Sequence, residues 1–343
     1  MELELFLHHL HFSADKVKPP DWEVDWENAP LAFKLYRGLP AFPLSHEVPL
    51  TLVGQKPAAK PDVREFGHFL WYVYGLNRLS HSIWASDAAE RPAMPALWCR
   101  RFVPSGGGLY PNELYVYLKL DDLPVGVYHY DVAHHRLVLL REGNFDGYLD
   151  RALGRRCDMA SCFGAVFVTT LFWKNVFKYN HFAYRLQGLD AGVLIGQMLE
   201  VAKRFGYDAG VCFMFLDRAV NHLVGLDERE ESVYAAIPLS AESASDRLVG
   251  DPGENGTVAA ADLCRELPAV RHEYFIRSRN PDAYPLIVGM NEASFLETWQ
   301  PFRGMGAKRF ASSAGPETVA PPSVALPAVD RLGYDLAFAC RKR

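Results

Sequence analysis

The chain has 343 residues, 49% hydrophobic and 22% charged, with a formal net charge of −5 at pH 7. This is the composition of an ordinary globular protein, long enough for one large domain or two, and its acidic balance argues against general nucleic-acid binding. No apolar run reaches the roughly 20 residues that cross a bilayer, the acidic start Met1-Glu2-Leu3-Glu4 lacks the basic lead of a secretory signal, and the six cysteines are scattered without a CxxC pair, as expected of thiols in a reducing cytoplasm.

Residues 1–60 read as an extended arm. Leu3, Leu5 and Leu7 alternate with polar residues, and Lys18-Pro19-Pro20 and Ala41-Phe42-Pro43 punctuate the remainder of the arm. His8, His9 and His11 cluster without the cysteines or carboxylates that a metal site would add. Trp22, Trp26, Phe33 and Tyr36 are anchors that can dock the arm on a core; their alternative use is a surface for a partner or substrate peptide. Residues 62–76 predict a helix, with Asp62 as its cap and Phe66, Phe69, Leu70, Val73 and Tyr74 as its apolar stripe. Residues 86–95 read as an irregular loop.

The most distinctive stretch is Arg100-Arg101-Phe102-Val103-Pro104-Ser105-Gly106-Gly107-Gly108-Leu109-Tyr110-Pro111-Asn112-Glu113. Three consecutive glycines leave the backbone bare, so a planar ligand can lie against it. Their N–H groups can donate to an anion or a ring carbonyl. The plainer alternative is a glycine-rich turn feeding a hairpin. A strand follows over 113–120, with Leu114, Val116, Leu118 and Leu120 on one face and Tyr115, Tyr117 and Lys119 on the other. Residues 126–131 and 136–140 predict a hairpin, with His134 and His135 in its turn and in solvent. Residues 144–153 predict a short helix, and the apolar run 164–173 a buried central strand.

Lys178-Tyr179 lies between that strand and the strongest helix of the chain, 187–205. A lysine acts as a base only if burial or a nearby cation brings its pKa toward neutrality; Lys174, Arg185 and the surrounding aromatics are the groups at hand. The helix is apolar nearly all round over 188–199, with Asp190 and Gln197 the exceptions, which predicts burial. Gly188, Gly192 and Gly196 share one face and allow close approach of another helix or of a cofactor. Residues 210–215 read as a second buried strand, 217–226 as a helix and 233–239 as a third strand. Beyond them, 243–256 is linker-like, 260–267 and 294–300 predict helices, 310–327 reads as disordered, and 329–343 is helix-like with a basic end.

The stretch from Arg100 through Glu113 and its strand resembles the flavin-binding segment of the SagB-type dehydrogenases, a branch of the nitroreductase-like flavoenzymes. That pattern is an arginine-containing lead, Pro-Ser-x-Gly, then Tyr-Pro-x-Glu and a strand. The resemblance runs roughly from His8 to Leu239 and includes Gly126-Val127-Tyr128-His129-Tyr130-Asp131, Lys178-Tyr179 and Leu223-Val224-Gly225-Leu226-Asp227. It implies an α/β (α+β) nitroreductase-like fold with a mostly antiparallel central sheet flanked by helices. The chain then divides into an arm (1–60), an FMN-binding domain (61–240) and a C-terminal extension of unassigned role (241–343).

The resemblance also implies bound FMN, with Pro104, Ser105, Gly106 and Gly107 along the isoalloxazine or ribityl chain. Typical members hold the phosphate with an Arg-Arg-Ser-x-Arg motif near the start. Arg78 and Ser80 match it only loosely, so Arg100 and Arg101 are alternative phosphate partners. The helix carrying Gly192 would lie under the flavin and in the core of a homodimer. Phe213 and Met214 stand where the family has glycines beside the flavin ring, so they would shape a substrate pocket there.

The activity implied is oxidation of peptide thiazolines or oxazolines to thiazoles or oxazoles, on a peptide substrate and with a cyclodehydratase as a candidate partner. Lys178 or Tyr179 would remove a proton from the azoline while a hydride passes to the flavin, which oxygen reoxidises. One fold hosts many activities, so two other readings stand. One is a flavin oxidoreductase acting on a carrier-protein-bound or free small molecule. The other is a non-enzymatic peptide-recognition scaffold.

Overall fold

The computed structural model describes residues 3–19, 21–53, 60–84, 94–241, 258–279, 281, 283–299 and 335–342. In chain order these form α1 (Leu3–Phe12), β1 (Ala41–Pro43), α2 (Val63–Tyr74), β2 (Leu76–Trp84), β3 (Met94–Arg101), β4 (Asn112–Leu118), β5 (Gly126–Asp131), β6 (Arg136–Glu142), α3 (Asp146–Ala152) and β7 (Gly164–Leu171). After these come α4 (Trp173–Tyr179), α5 (Ala183–Phe205), β8 (Asp208–Ala209), α6 (Asp217–Val224), β9 (Glu231–Ser240), β10 (Val258–Ala259), α7 (Ala260–Glu266), α8 (Pro285–Ala293), β11 (Thr298–Trp299) and α9 (Leu336–Lys342).

β4 shows how the layers arise. Its alternation sends Leu114, Val116 and Leu118 into a core with α2, α5 and α9, and Tyr115 and Tyr117 into a second core with α3, α6 and α7. Every β4 residue is buried, so the strand is covered on both faces. It sits mid-sheet in the order β1-β6-β5-β4-β7-β9-β8, with all neighbours antiparallel. The result is a helix–sheet–helix sandwich, the mixed architecture with an antiparallel centre that the resemblance implies. β2 and β3 pair separately.

α2 has 12 residues, too few to be stable alone in water. Asp62 caps it by accepting the Glu65 N–H at 2.7 Å, a contribution of about 1 kcal/mol. Each of its buried side chains Phe66, Phe69, Leu70 and Val73 contributes about 1.5–3 kcal/mol, so packing on the sheet fixes its position. Among the described residues no helix is long and apolar enough to cross a membrane.

The structure differs from the sequence reading at several places. Residues 3–12 are helical rather than extended, because Phe6 and Leu10, one turn apart, are the buried pair while Leu5 and Leu7 face outward. Within the arm, Ala41–Pro43 joins the main sheet beside β6. His135 is buried, with Tyr130 Oη 2.9 Å from its Nδ1. Over 210–215 the only bridge to the sheet is Cys212 with Ala236, and Phe213 and Met214 are exposed. The helix expected over 294–300 lies earlier, as α8, and Thr298–Trp299 instead pairs with β10. The expected loop, linker and disordered stretches at 86–93, 243–256 and 310–327 lie outside the described residues; Met94 and Pro95 belong to β3.

Candidate active site

β4 and β7 run antiparallel with Asn112 opposite Thr170. The glycine turn that enters β4 and the helix that leaves β7 therefore meet at one end of the sheet. Lys174 of α4 fastens them together. Its buried ammonium pairs with Glu113 of β4 and donates to the carbonyls of Tyr110, at 3.3 Å, and Ala32, at 3.1 Å. The other Glu113 oxygen lies 3.0 Å from His129 Nε2. Burial pushes the Glu113 carboxyl up, but Lys174 and His129 outweigh it and hold the group below the usual carboxylate range. The arm docks at the same end, where Lys34 pairs with Glu231 at 2.5 Å and the Trp22 indole N–H donates to the Lys178 carbonyl at 3.3 Å.

The glycine turn is held in an unusual conformation. Gly107 (φ 67°), Gly108 (φ 70°) and, after them, Tyr110 (φ 51°) are all left-handed. For a tyrosine this costs on the order of 1–3 kcal/mol and persists only where the surroundings impose it. Here the Tyr110 N–H donates to Ser105 Oγ at 2.8 Å, and the Tyr110 hydroxyl accepts the Arg101 N–H at 3.0 Å. Asp190, projecting from α5, accepts Ser105 Oγ–H at 2.5 Å and the Gly106 N–H at 3.0 Å. The Gly108 N–H donates to the Ser105 carbonyl at 3.0 Å. Ser105, Gly106 and Gly108 thus have their hydrogen bonds engaged within the turn and its Asp190 anchor, not offered outward to a ligand as the sequence suggests. Pro104 leads into the turn half-buried.

Lys178 and Tyr179 end α4 against this turn. A Cβ on Gly107 would collide with Tyr179 Oη and come within 3.1 Å of Lys178 Nζ. The Lys178 ammonium lies 5.5 Å from the Trp26 ring centre and 5.3 Å from that of Tyr179. The two cations expected to act on Lys178 are directed elsewhere: Lys174 to Glu113, and Arg185 to the Leu10 carbonyl at 2.6 Å.

The three candidate arginines separate. Arg78 and Arg100 are exposed cross-strand partners on β2 and β3, and a Cβ on Gly108 would meet Arg100 Nη1 at 2.9 Å. Arg101 is buried, its guanidinium 4.2 Å from the Tyr74 ring centre and donating to the Ala32 carbonyl at 3.2 Å. It cannot share a solvent-facing phosphate with its neighbour, because adjacent strand residues point to opposite faces.

α5 is buried on one side only. Leu189, Gly192, Val193 and Gly196 are exposed, and a Cβ on Gly192 would have open space around it. Phe213 and Met214, with Gln187, Gly188 and Tyr234, line a groove of about 800 Å³. Lys178 and Tyr179 do not line it; the groove and the glycine turn flank α5, the turn anchored through Asp190 and the groove bounded by Gln187 and Gly188.

Residues 86–239 match the nitroreductase family. They are a nitroreductase-family domain. Proteins of this family are generally flavin oxidoreductases. A solved structure from Anabaena variabilis assigned to the nitroreductases is similar over 85% of this chain and 55% of its own, at 24% identity and a TM-score of 0.60. The trifolitoxin-processing protein TfxB of Rhizobium leguminosarum bv. trifolii is 29% identical over 144 residues, 40% of this chain and 39% of that protein. The E. coli microcin synthetase McbBCD complex with truncated pro-MccB17 bound contains a chain similar over 71% of this one, at 18% identity and a TM-score of 0.42. The chain spans about two-fifths of the length of TfxB and about half that of the Anabaena protein.

Residues of this nitroreductase-family domain, with Arg78 on the strand just before it, fit a flavin mononucleotide. Two arginines directly opposite one another repel, and a phosphate between Arg78 and Arg100 would neutralise both. The open face at Gly192 admits a flat ring system. Sequence reasoning missed the supporting residues. Asp190 stands out only as the acid within the apolar 188–199 stretch, and the Glu113–Lys174 pair joins residues whose proximity depends on the β4–β7 register.

Proposed function

We propose that this chain is an FMN-dependent dehydrogenase that oxidises azoline rings in a peptide, turning thiazolines or oxazolines into thiazoles or oxazoles. The observation that carries the reading is the apposition of Lys178 and Tyr179 to Gly107: a potential base and a hydroxyl lie directly beside the glycine turn. The name of TfxB, a toxin-processing protein, supports a role in peptide natural-product maturation. Bound flavin would supply the two-electron acceptor.

The protein's own residues do the rest. Arg78 and Arg100 hold the phosphate. The missing Cβ at Gly107 lets Tyr179 and Lys178 close on the turn, and Lys178 Nζ accepts the carbon-bound proton of the substrate ring. Tyr179 Oη orients that ring or shares the proton. The exposed α5 face of Leu189, Gly192, Val193 and Gly196 supports a homodimer, with residues 61–240 as the flavin-binding domain and a cyclodehydratase as the supplier of the azoline. The purified protein should be yellow, and an azoline peptide should bleach its flavin in stopped-flow under anaerobic conditions. Bleaching by quinones or nitro compounds with none by azolines would move the assignment to a small-molecule oxidoreductase. Colourless protein that takes up no added FMN would leave only a scaffold role.

A further inference from the structure

Asp190 is a carboxylate on the buried face of α5, 9% exposed, where Gln187 is the one other buried polar side chain. Among the described residues no cation pairs with it; burial pushes its carboxyl up, and only Ser105 and Gly106 oppose this. A carboxylate without a counter-charge is costly to bury, so packing alone does not account for it. Both of its oxygens are aimed at one turn. Oδ2 accepts from Ser105 Oγ at 2.5 Å and Oδ1 from the Gly106 N–H at 3.0 Å. Ser105 Oγ in turn accepts the Tyr110 N–H at 2.8 Å.

These bonds run in one direction, from Tyr110 N–H to Ser105 Oγ and from Ser105 O–H to Asp190. The Ser105 O–H and the Gly106 N–H are both directed at Asp190, whose two carboxylate oxygens accept one bond each. The turn so held carries left-handed residues at Gly107, Gly108 and Tyr110, and Gly107 abuts Tyr179 Oη and Lys178 Nζ.

We infer that Asp190 is a positioning residue: it fixes the depth and shape of the glycine turn and thereby the distance from the turn to Lys178 and Tyr179. The inference rests on the assignment of that pair as the proton-accepting group. Asp190 acts on the geometry of reaction, through Ser105 and Gly106, and touches neither substrate nor reacting atoms.

The test uses Asp190→Ala and Ser105→Ala in the full chain. An alanine at 190 removes both acceptors, so the Ser105 and Gly106 bonds are lost together. Hydrogen–deuterium exchange should accelerate over residues 105–110 in both variants and stay unchanged over β4. At saturating azoline peptide the rate of flavin reduction should fall about 10- to 100-fold, the scale of a misplacement of order 1 Å, with KM and FMN content close to wild type. The double variant should be no worse than the poorer single one, because the two residues act as one unit. Unchanged exchange in the turn overturns the inference, and so does a loosened turn with normal reduction rates. If Asp190→Ala fails to fold, Ser105→Ala decides alone. If wild-type protein does not oxidise azolines, the functional reading fails separately, and the exchange measurement still upholds or overturns the role of Asp190 in holding the turn.

Discussion

The Tyr179 hydroxyl occupies the space that any side chain at position 107 would need. Gly107 is thus required twice, once for its left-handed backbone at φ 67° and once for its missing Cβ. Gly107→Ala should destabilise the protein by about 1–2 kcal/mol from the backbone term alone. It should also push Tyr179 and Lys178 away from the turn. The expected outcome is a lowered melting temperature together with a loss of turnover exceeding any loss of FMN, read by flavin absorbance and stopped-flow on the same samples. Normal turnover in Gly107→Ala would mean that the pair does not work across this turn.

Lys178→Ala and Tyr179→Phe separate proton transfer from cofactor binding. Removing a general base costs on the order of 100- to 10,000-fold in rate, whereas removing a phosphate ligand lowers cofactor occupancy. Lys178→Ala should keep FMN and lose flavin reduction by at least two orders of magnitude, and Tyr179→Phe should lose less. Arg100→Ala should do the reverse, weakening FMN binding while added excess FMN restores the reduction rate. Near-normal reduction in Lys178→Ala would return Lys178 and Tyr179 to ordinary structure.

Much of the scaffold is legible in the sequence. The alternation of Leu114, Val116 and Leu118 against Tyr115 and Tyr117 separates the two cores, and Asp62 marks the start of α2. Local pattern fails where side chains are sorted by distant partners. Arg100 and Arg101 are equivalent as sequence, yet strand alternation leaves one in solvent and encloses the other among Phe33, Tyr74 and Tyr110. The apolar run around Phe213 and Met214 reads as a buried strand, but these two side chains are exposed and line a groove, while Cys212 and Phe215 on either side are buried. The leucines of the first helix alternate, while its buried contacts are set by Phe6 and Leu10 against Leu286 and Met290 nearly 280 residues away.

The Lys174–Glu113 pair is 2% and 1% exposed, so its two charges depend on one another. Lys174→Met leaves a buried carboxylate uncompensated and should cost about 3–5 kcal/mol. Lys174→Met with Glu113→Gln should recover a substantial part of that loss, because no lone charge remains. The Glu113 carboxyl is held low in the fold, so its contribution is complete above the ordinary carboxylate pKa and is lost as pH falls through the folded value. Urea titrations of wild type and the two variants at neutral pH test the pair. Equal stability of Lys174→Met and wild type would show that the pair fastens nothing.

His135 gives a second pH dependence, at a higher pH than that of Glu113. Burial, followed by the neighbouring His46, lowers its imidazole from 6.5 to about 4. Its ring lies 5.0 Å from that of Trp71, and Tyr130 Oη lies 2.9 Å from its Nδ1. The fold holds the neutral ring, while the unfolded chain takes up a proton below 6.5. The stability contribution is therefore whole above about pH 6.5 and declines as pH falls towards 4, by up to about 1.4 kcal/mol per pH unit. His135→Asn tests this, since asparagine tolerates the left-handed backbone at φ 47° and does not titrate. The variant should be less stable than wild type at pH 7.5, and the gap should narrow steadily as pH falls from 6.5 to 4. A gap that stays constant across that window, measured by chemical denaturation at each pH, would show that the buried ring takes up its proton as readily as one in the unfolded chain.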